Sequence, residues 1–152
     1  MAISMSDIKA LREKTGAGVL DAKKALEESN GDMAKAEKWV QEKGLARAEK
    51  KADRETKEGY IASYVHTNGK IAALVEILCE TDFVARNEEF RAMAQEVAMQ
   101  VASMQPETID ELLAQDCIRR DSTVGDMVKG LSGKIGEKFV VNRMVRYEVG
   151  QE

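Results

Sequence analysis

The sequence predicts an α+β fold in which a helical amino-terminal module precedes a three-stranded antiparallel sheet packed by helices. Apolar residues recur at helical spacing over residues 6–45, whereas the alternation typical of strands begins only at residue 60. A later helical stripe over residues 87–104 can cover that sheet. We therefore divide the 152 residues into a three-helix module (1–45), a charged helical connector (46–58) and an α+β core (59–152).

Capping and stop signals delimit three short helices in the module. Ser6 is expected to cap the first helix, and Gly16-Ala17-Gly18 to end it. The second helix stops at Asn30-Gly31, and the third is capped by Asp32 and ended by Gly44. The apolar positions expected to form the small core of this module are Ile8, Leu11, Val19, Ala22, Ala25, Leu26, Met33, Ala36, Trp39 and Val40.

A β-hairpin opens the core. Residues 60–66 are strand-like, Asn68-Gly69 predicts a type I′ turn, and the returning strand alternates from residue 71 to residue 79. A helix beginning near Asn87 should cover the apolar face of this strand. The remaining predicted elements are a short helix opened by a capping box at Thr108–Glu111, a helix from Ser122 or Thr123, and a third antiparallel strand over residues 139–149.

Composition and charge exclude several classes of function. The formal net charge is −4 and the pI is about 5.3, so nucleic acid and anionic membrane surfaces are unfavourable partners. No apolar run approaches the roughly 18 residues of a membrane span, and the first residues lack the basic and apolar pattern of an export signal. We expect a cytoplasmic chain with reduced thiols, Cys79 buried and Cys117 partly exposed.

No constellation of residues predicts bond chemistry. Gly16-Ala17-Gly18 follows a helix and lacks the Gly-Lys-Ser/Thr ending of a phosphate loop. His66 is the only histidine, which leaves no support for a histidine metal site or a Ser-His-Asp triad. We therefore expect no catalytic residue, no metal and no cofactor.

Two apolar positions stand apart from the core patterns. In Thr81-Asp82-Phe83-Val84, here called the wedge segment, a phenylalanine follows a carboxylate just after the second strand. Asp82 could cap a helix with Phe83 as a local packing residue, or Phe83 could insert into another protein. Leu20 shares its helix face with Lys23, Lys24 and Glu27, so we expect it to be exposed.

Five segments, in order along nearly the whole chain, resemble motifs of the elongation factor Ts family. They are Lys14-Thr15-Gly16-Ala17-Gly18-Val19-Leu20-Asp21-Ala22-Lys23-Lys24-Ala25-Leu26, Asn30-Gly31-Asp32, Lys50-Lys51-Ala52-Asp53, Glu80-Thr81-Asp82-Phe83-Val84-Ala85-Arg86-Asn87 and Lys134-Ile135-Gly136-Glu137. Members of this family are exchange factors that release GDP from the GTPase elongation factor Tu.

The resemblance implies a fold, a partner and the residues that contact it. The module would resemble ubiquitin-associated domains and contact the GTPase through Arg12, Val19 and Leu20, here called the amino-terminal patch. Thr81, Asp82, Phe83 and Val84 would disturb the Mg²⁺ and phosphate region of the GTPase. The stretch between Pro106 and Gly136 is short for the family, whose short forms pair through the sheet, so a homodimer is expected.

Two other functions stay open at this point. The helical module could belong to an adaptor that binds a ubiquitin-like protein, a peptide or a ribosomal partner without nucleotide exchange. Alternatively, the basic residues of segment 47–57 could contact RNA or the ribosome. The acidic total charge counts against the second alternative.

Overall fold

The computed structural model describes residues 2–151 and has the predicted α+β architecture. Within these residues, three helices precede a β-hairpin, four helices follow it, and a last strand completes the sheet. The elements are α1 (Met5–Thr15), α2 (Val19–Glu28), α3 (Met33–Glu49), β1 (Glu58–Val65), β2 (Ile71–Cys79), α4 (Asp82–Ala85), α5 (Glu88–Met104), α6 (Ile109–Ala114), α7 (Val124–Ile135) and β3 (Val140–Glu148).

The first three helices enclose a small core of their own. It contains the buried residues Ile8, Leu11, Ala17, Ala22, Ala25, Leu26 and Ala36. The prediction that Ser6 caps α1 is wrong, because Ser4 is the cap and exchanges hydrogen bonds with Asp7 in a capping box. Gly16 ends α1 as predicted, with φ at +69°, a left-handed conformation that glycine adopts without strain.

Helix α3 does not end at Gly44, contrary to the sequence prediction, but continues to Glu49. The connector predicted over residues 46–58 is therefore helical only in its first residues, and β1 already begins at Glu58. Gly44 stays inside the helix because it lies against α7. The carbonyl oxygen of Gly44 is so close to Gly133 that a Cβ atom on Gly133 would overlap with it. Helix α3 thus belongs to the module and also packs on the core.

The sheet has the order β1-β2-β3, with both neighbours antiparallel to β2. Helix α5 covers one face, as predicted from its stripe. Phe90, Val97 and Val101 of α5 are buried in one cluster with Val75 and Ile77 of β2. Met104, at the end of the predicted stripe, is instead 51% exposed.

The hairpin turn differs in type from the prediction. A type I′ turn would place both Asn68 and Gly69 at positive φ, but only Gly69, at +69°, has this conformation. His66 and Ile71 are joined by a backbone hydrogen bond of 2.9 Å, and the Gly69 amide donates to the His66 carbonyl at 2.8 Å. The loop therefore has four residues, and Gly69 is at its left-handed position.

The other face of the sheet, here called the outer face, is apolar and uncovered in the described chain. Its exposed members are Ile61, Val65, Leu74 and Tyr147, which come from all three strands. Glu76 lies among them, and hydrogen bonds from Asn142 and then Arg143 hold the pKa of its carboxyl below the ordinary value.

Candidate functional site

The wedge segment forms the turn between the central strand and a one-turn helix. Thr81 is the N-cap of α4, and its hydroxyl accepts a hydrogen bond from the amide of Val84 at 3.4 Å. The side chain of Phe83 is directed to solvent and is 83% exposed. Both parts of the local packing interpretation are therefore wrong, since Asp82 is not the cap and Phe83 is not a core residue.

Buried neighbours hold α4 against the core. Val84 and Ala85 are only 9% and 7% exposed and pack in the cluster under the sheet. Asp82 is partly buried and pairs with Arg86 one turn along the helix. Val84 therefore anchors the turn in the core, whereas the neighbouring Phe83, with Asp82 before it, faces outward.

A carboxylate distant in sequence binds the start of this turn. Oε1 of Glu137 accepts hydrogen bonds from the amides of Glu80 and Thr81, both at 3.0 Å. Its Oε2 accepts from the hydroxyl of Thr81 at 2.6 Å. In return, Oε2 of Glu80 accepts from the amide of Lys138 at 2.6 Å. Two chain segments, after β2 and after α7, are thereby joined by hydrogen bonds in both directions.

The amino-terminal patch lies at the turn from α1 to α2. Leu20 is 83% exposed, which confirms the sequence prediction for this residue. Val19 is 46% exposed and lies outside the small core, although its spacing had also allowed an inner position. Arg12 is exposed and donates from Nε to the carbonyl of Ala17 at 3.2 Å, so it holds the turn on which both apolar side chains lie.

The patch and the wedge segment lie in different units of the fold. Helix α3 joins these units, and an ion pair of 2.7 Å between Lys134 of α7 and Glu89 of α5 lies next to Gly16 of the α1–α2 turn. The two surfaces are therefore carried on packed elements. Such a pair of exposed apolar sites suits contact with one large partner at two places.

Among residues 2–151, no group of three or more His, Cys, Asp or Glu side chains could hold a metal ion. No helix in this range is long and apolar enough to cross a membrane. The exposed aromatic ring on an anchored turn, together with a second apolar patch, is typical of a protein that acts by binding another protein.

Comparison with known sequences identifies the family. The family described as Elongation factor TS matches residues 80–152, which include the wedge segment and Glu137. An elongation factor Ts of Oleidesulfovibrio alaskensis is 48% identical over 150 residues, covering 96% of this chain and 76% of that relative. An elongation factor Ts of Thermotoga maritima is 42% identical over 195 aligned positions, covering 99% and 98%. The chain belongs to the elongation factor Ts family.

The relatives are longer than this chain. The elongation factor Ts of Nitratidesulfovibrio vulgaris is 39% identical over 198 aligned positions that cover the whole of this chain and 99% of the relative. Because this chain has 152 residues, 46 of those positions have no counterpart in it. Helices α6 and α7 and strand β3 are nevertheless all present within the matched family segment.

Sequence reasoning did not find the role of Glu137. The residue lies 56 positions from Thr81, and no periodicity or spacing rule links the two. One signal is present in the sequence, since Lys134-Ile135-Gly136-Glu137 resembles a family motif to which the sequence alone assigns no function. A charged residue that directly follows a helix-ending glycine is a candidate for such a contact.

Proposed function

We propose that this chain is a guanine nucleotide exchange factor that binds elongation factor Tu with GDP and promotes release of GDP, so that GTP can rebind. Membership of the elongation factor Ts family supports the class of activity. The observation that carries the mechanism is the 83% exposure of Phe83 on an anchored turn. The chain makes and breaks no bond, and its place of action is the cytoplasm, with translation.

Insertion of Phe83 into the GTPase supplies the free energy for release. Burying a phenylalanine side chain is worth about 1.5–3 kcal/mol, which shifts a conformational equilibrium by about ten- to a hundredfold. Asp82, next to the ring, perturbs the polar network around the Mg²⁺ that neutralises the phosphates of GDP. Thr81 and Val84 set the position of the turn from which both side chains act.

Exchange also requires that the factor leave again. If the exchange protein lowers the affinity of the GTPase for nucleotide by a given ratio, returning nucleotide lowers the affinity of the GTPase for the exchange protein by the same ratio. The preference of the free GTPase between GDP and GTP is therefore unchanged, and only the rate of exchange rises. This cycle needs no cofactor in the chain.

The amino-terminal patch contributes affinity in this proposal. Leu20 and Val19 present apolar surface to the GTPase, and Arg12 adds a charge beside them. Once the amino-terminal patch has bound the GTPase, the ring of Phe83 is held near its target. Its insertion is then a step within one complex and not a second encounter in solution. Loss of the patch should therefore weaken the complex, whereas loss of the ring should slow release within it.

The occupant of the outer face in this proposal is a second copy of the chain. Exposed apolar side chains from three strands form one continuous face, which in a homodimer would pack on its own copy around a two-fold axis. The charged Glu76 and Arg143 pair within it would fix the relative orientation of the copies. A stable monomer across micromolar concentrations in sedimentation would contradict the homodimer, but not exchange.

One assay tests the function directly. Fluorescent GDP bound to purified elongation factor Tu is chased with excess unlabelled GDP, with and without this protein. The expected result is a release rate that rises with the concentration of the protein and reaches a plateau. A factor that binds the GTPase, as judged by co-sedimentation, but leaves the rate unchanged would instead be an adaptor.

A further inference from the structure

The wedge segment is too short to hold its own conformation. Helix α4 has four residues, and a single helical turn is unfavourable in isolation because several backbone angles are fixed for one hydrogen bond. Contacts from outside the turn must therefore determine where the ring of Phe83 lies. Val84 and Ala85 supply burial on one side, but apolar packing alone fixes the direction of a turn poorly.

Glu137 supplies the directional contacts. At the end of β2 the chain leaves the ladder, and the amides of Glu80 and Thr81 are directed to Oε1 of Glu137 instead of a strand partner. The Thr81 hydroxyl donates a hydrogen bond to Oε2 of Glu137 and accepts one from the Val84 amide. The Thr81 side chain therefore links the Glu137 carboxylate directly to the first turn of α4. Hydrogen bonds to a charged acceptor are about twice as strong as neutral ones.

The carboxylate is itself held in place by its own segment. Gly136, at φ +93°, ends α7 in a left-handed conformation that turns the chain toward Thr81. The hydroxyl of Ser132 donates to the carbonyl of Glu137, and Arg54 donates to the carbonyl of Gly136 at 3.1 Å. Glu137 is therefore fixed from both sides of its backbone before it binds the turn.

We infer that Glu137 is the positioning residue of the exchange mechanism. It orients the ring of Phe83 through its hydrogen bonds to Glu80 and Thr81, here called the clamp, and does not itself touch the GTPase. This inference rests on the proposed exchange function. It predicts that loss of the carboxylate lowers the maximal rate of GDP release while complex formation, which in the proposed function depends on the amino-terminal patch, is retained.

The test compares two substitutions at one site. Glu137→Ala removes all three acceptor contacts and should lower the plateau rate of GDP release at least fivefold, with a half-saturating concentration within about twofold of wild type. Glu137→Gln keeps the shape and an acceptor oxygen for the two amides, so it should restore most of that rate. Glu96→Ala is the matched control, because it removes a carboxylate that accepts two hydrogen bonds of 2.9 Å from Arg120; its rate should equal wild type.

A double-mutant cycle separates positioning from general stability. If Glu137 acts only through the ring, Glu137→Ala should cause no further loss in a Phe83→Ala background. An equal loss in both backgrounds, or a wild-type rate in Glu137→Ala, would overturn the inference. The inference would also be overturned if Glu137→Ala lost activity and both Glu137→Ala and Glu137→Gln showed a large drop in thermal stability.

A second readout does not depend on exchange. Amide hydrogen exchange at Thr81 and Val84 should be at least tenfold faster in Glu137→Ala than in wild type, with the protection of α5 unchanged. Unchanged protection at Thr81 would overturn the clamp. If wild type fails to release GDP while this protection pattern holds, the proposed function fails and the structural clamp stands.

Discussion

The carbonyl oxygen of Gly44 lies where a side chain on Gly133 would begin. Helices α3 and α7 are in direct backbone contact at this point, and the contact joins the three-helix module to the core. A hydrogen atom is the only side chain that fits at Gly133. The same helix offers a comparison, because a Cβ atom on Gly130, one turn earlier, would meet nothing within 4 Å.

Substitution of these two glycines should have opposite effects on stability. Gly133→Ala forces α3 and α7 apart and should lower the free energy of unfolding by about 1–3 kcal/mol, the usual cost of overpacking. Gly130→Ala should raise it by about 0.5–1 kcal/mol, since alanine is the better helix former. Urea unfolding of both variants checks the prediction; equal effects would contradict the close contact.

Removal of the Phe83 ring should separate activity from stability. Phe83→Ala should slow stimulated GDP release by an order of magnitude or more, because the burial energy of the ring is lost in the complex. Its thermal midpoint should stay near wild type, since the ring is 83% exposed. The control is Phe90→Ala in the core, where the ring is fully buried and its loss should cost about 3–5 kcal/mol. A destabilised Phe83→Ala would place the ring in the core instead.

A charge at Leu20 should weaken binding to the GTPase. Leu20→Glu places a carboxylate in the middle of the amino-terminal patch, so titration of elongation factor Tu should show at least a tenfold higher dissociation constant. Met5→Glu is a matched control in the same module, at a side chain that is 76% exposed. Both variants should unfold at the wild-type temperature, and a large loss of stability in Leu20→Glu would contradict its exposure.

The outer face of the sheet provides a test of self-association. Leu74→Glu introduces a charge at the central strand, and two copies could not bury it without a partner, so the variant should sediment as a monomer. Met104→Glu, at a side chain of similar exposure on α5, should leave the proposed homodimer intact. Analytical ultracentrifugation across micromolar concentrations distinguishes the two. A dimeric Leu74→Glu would place the interface elsewhere.

The two thiols should react at very different rates. Burial, and then the charge of Glu137, raises the pKa of the Cys79 thiol from 9.0 to about 11. Burial also raises the pKa of Cys117, but that side chain is only partly buried and stays accessible to a reagent, whereas Cys79 is buried. At pH 8 iodoacetamide should therefore modify Cys117 first, as measured by mass spectrometry on single Cys→Ser variants. The raised pKa of Cys79 means that the folded state favours the neutral thiol. The stability that this preference contributes is complete below pH 9 and is lost as the pH rises toward 11. Equal labelling rates in the native protein would contradict the burial.

Local patterns were sufficient to predict the order and type of the main elements. Stripes such as Phe90 to Val101 and the alternation of β2 depend on residues close in sequence, and the structure confirms both. The cap of α1 was misplaced by two residues because Ser4 and Ser6 are chemically equivalent as caps, and the position of Asp7 favours Ser4. The outward direction of Leu20 followed from helical geometry alone.

Contacts between distant segments account for the errors. Gly44 is a plausible helix end by local rules, yet α7 packs on it and the helix continues. The clamp of Glu137 on Thr81 joins segments 56 residues apart, which no local pattern describes. The wedge segment was singled out from its composition, whereas the means by which it is held required the fold. The division into module, connector and core remains a prediction.

The solvent-facing ring of Phe83 has a practical consequence for protein engineering. In the proposed mechanism its contribution is realised only in the complex with the GTPase, so the isolated chain gains nothing from keeping a large aromatic group in water. A redesign that selects for solubility or heat resistance would replace Phe83 and Leu20 among the first residues, and by the proposed mechanism its product would then fail to bind the GTPase and promote exchange. Libraries based on this chain therefore need both positions held constant.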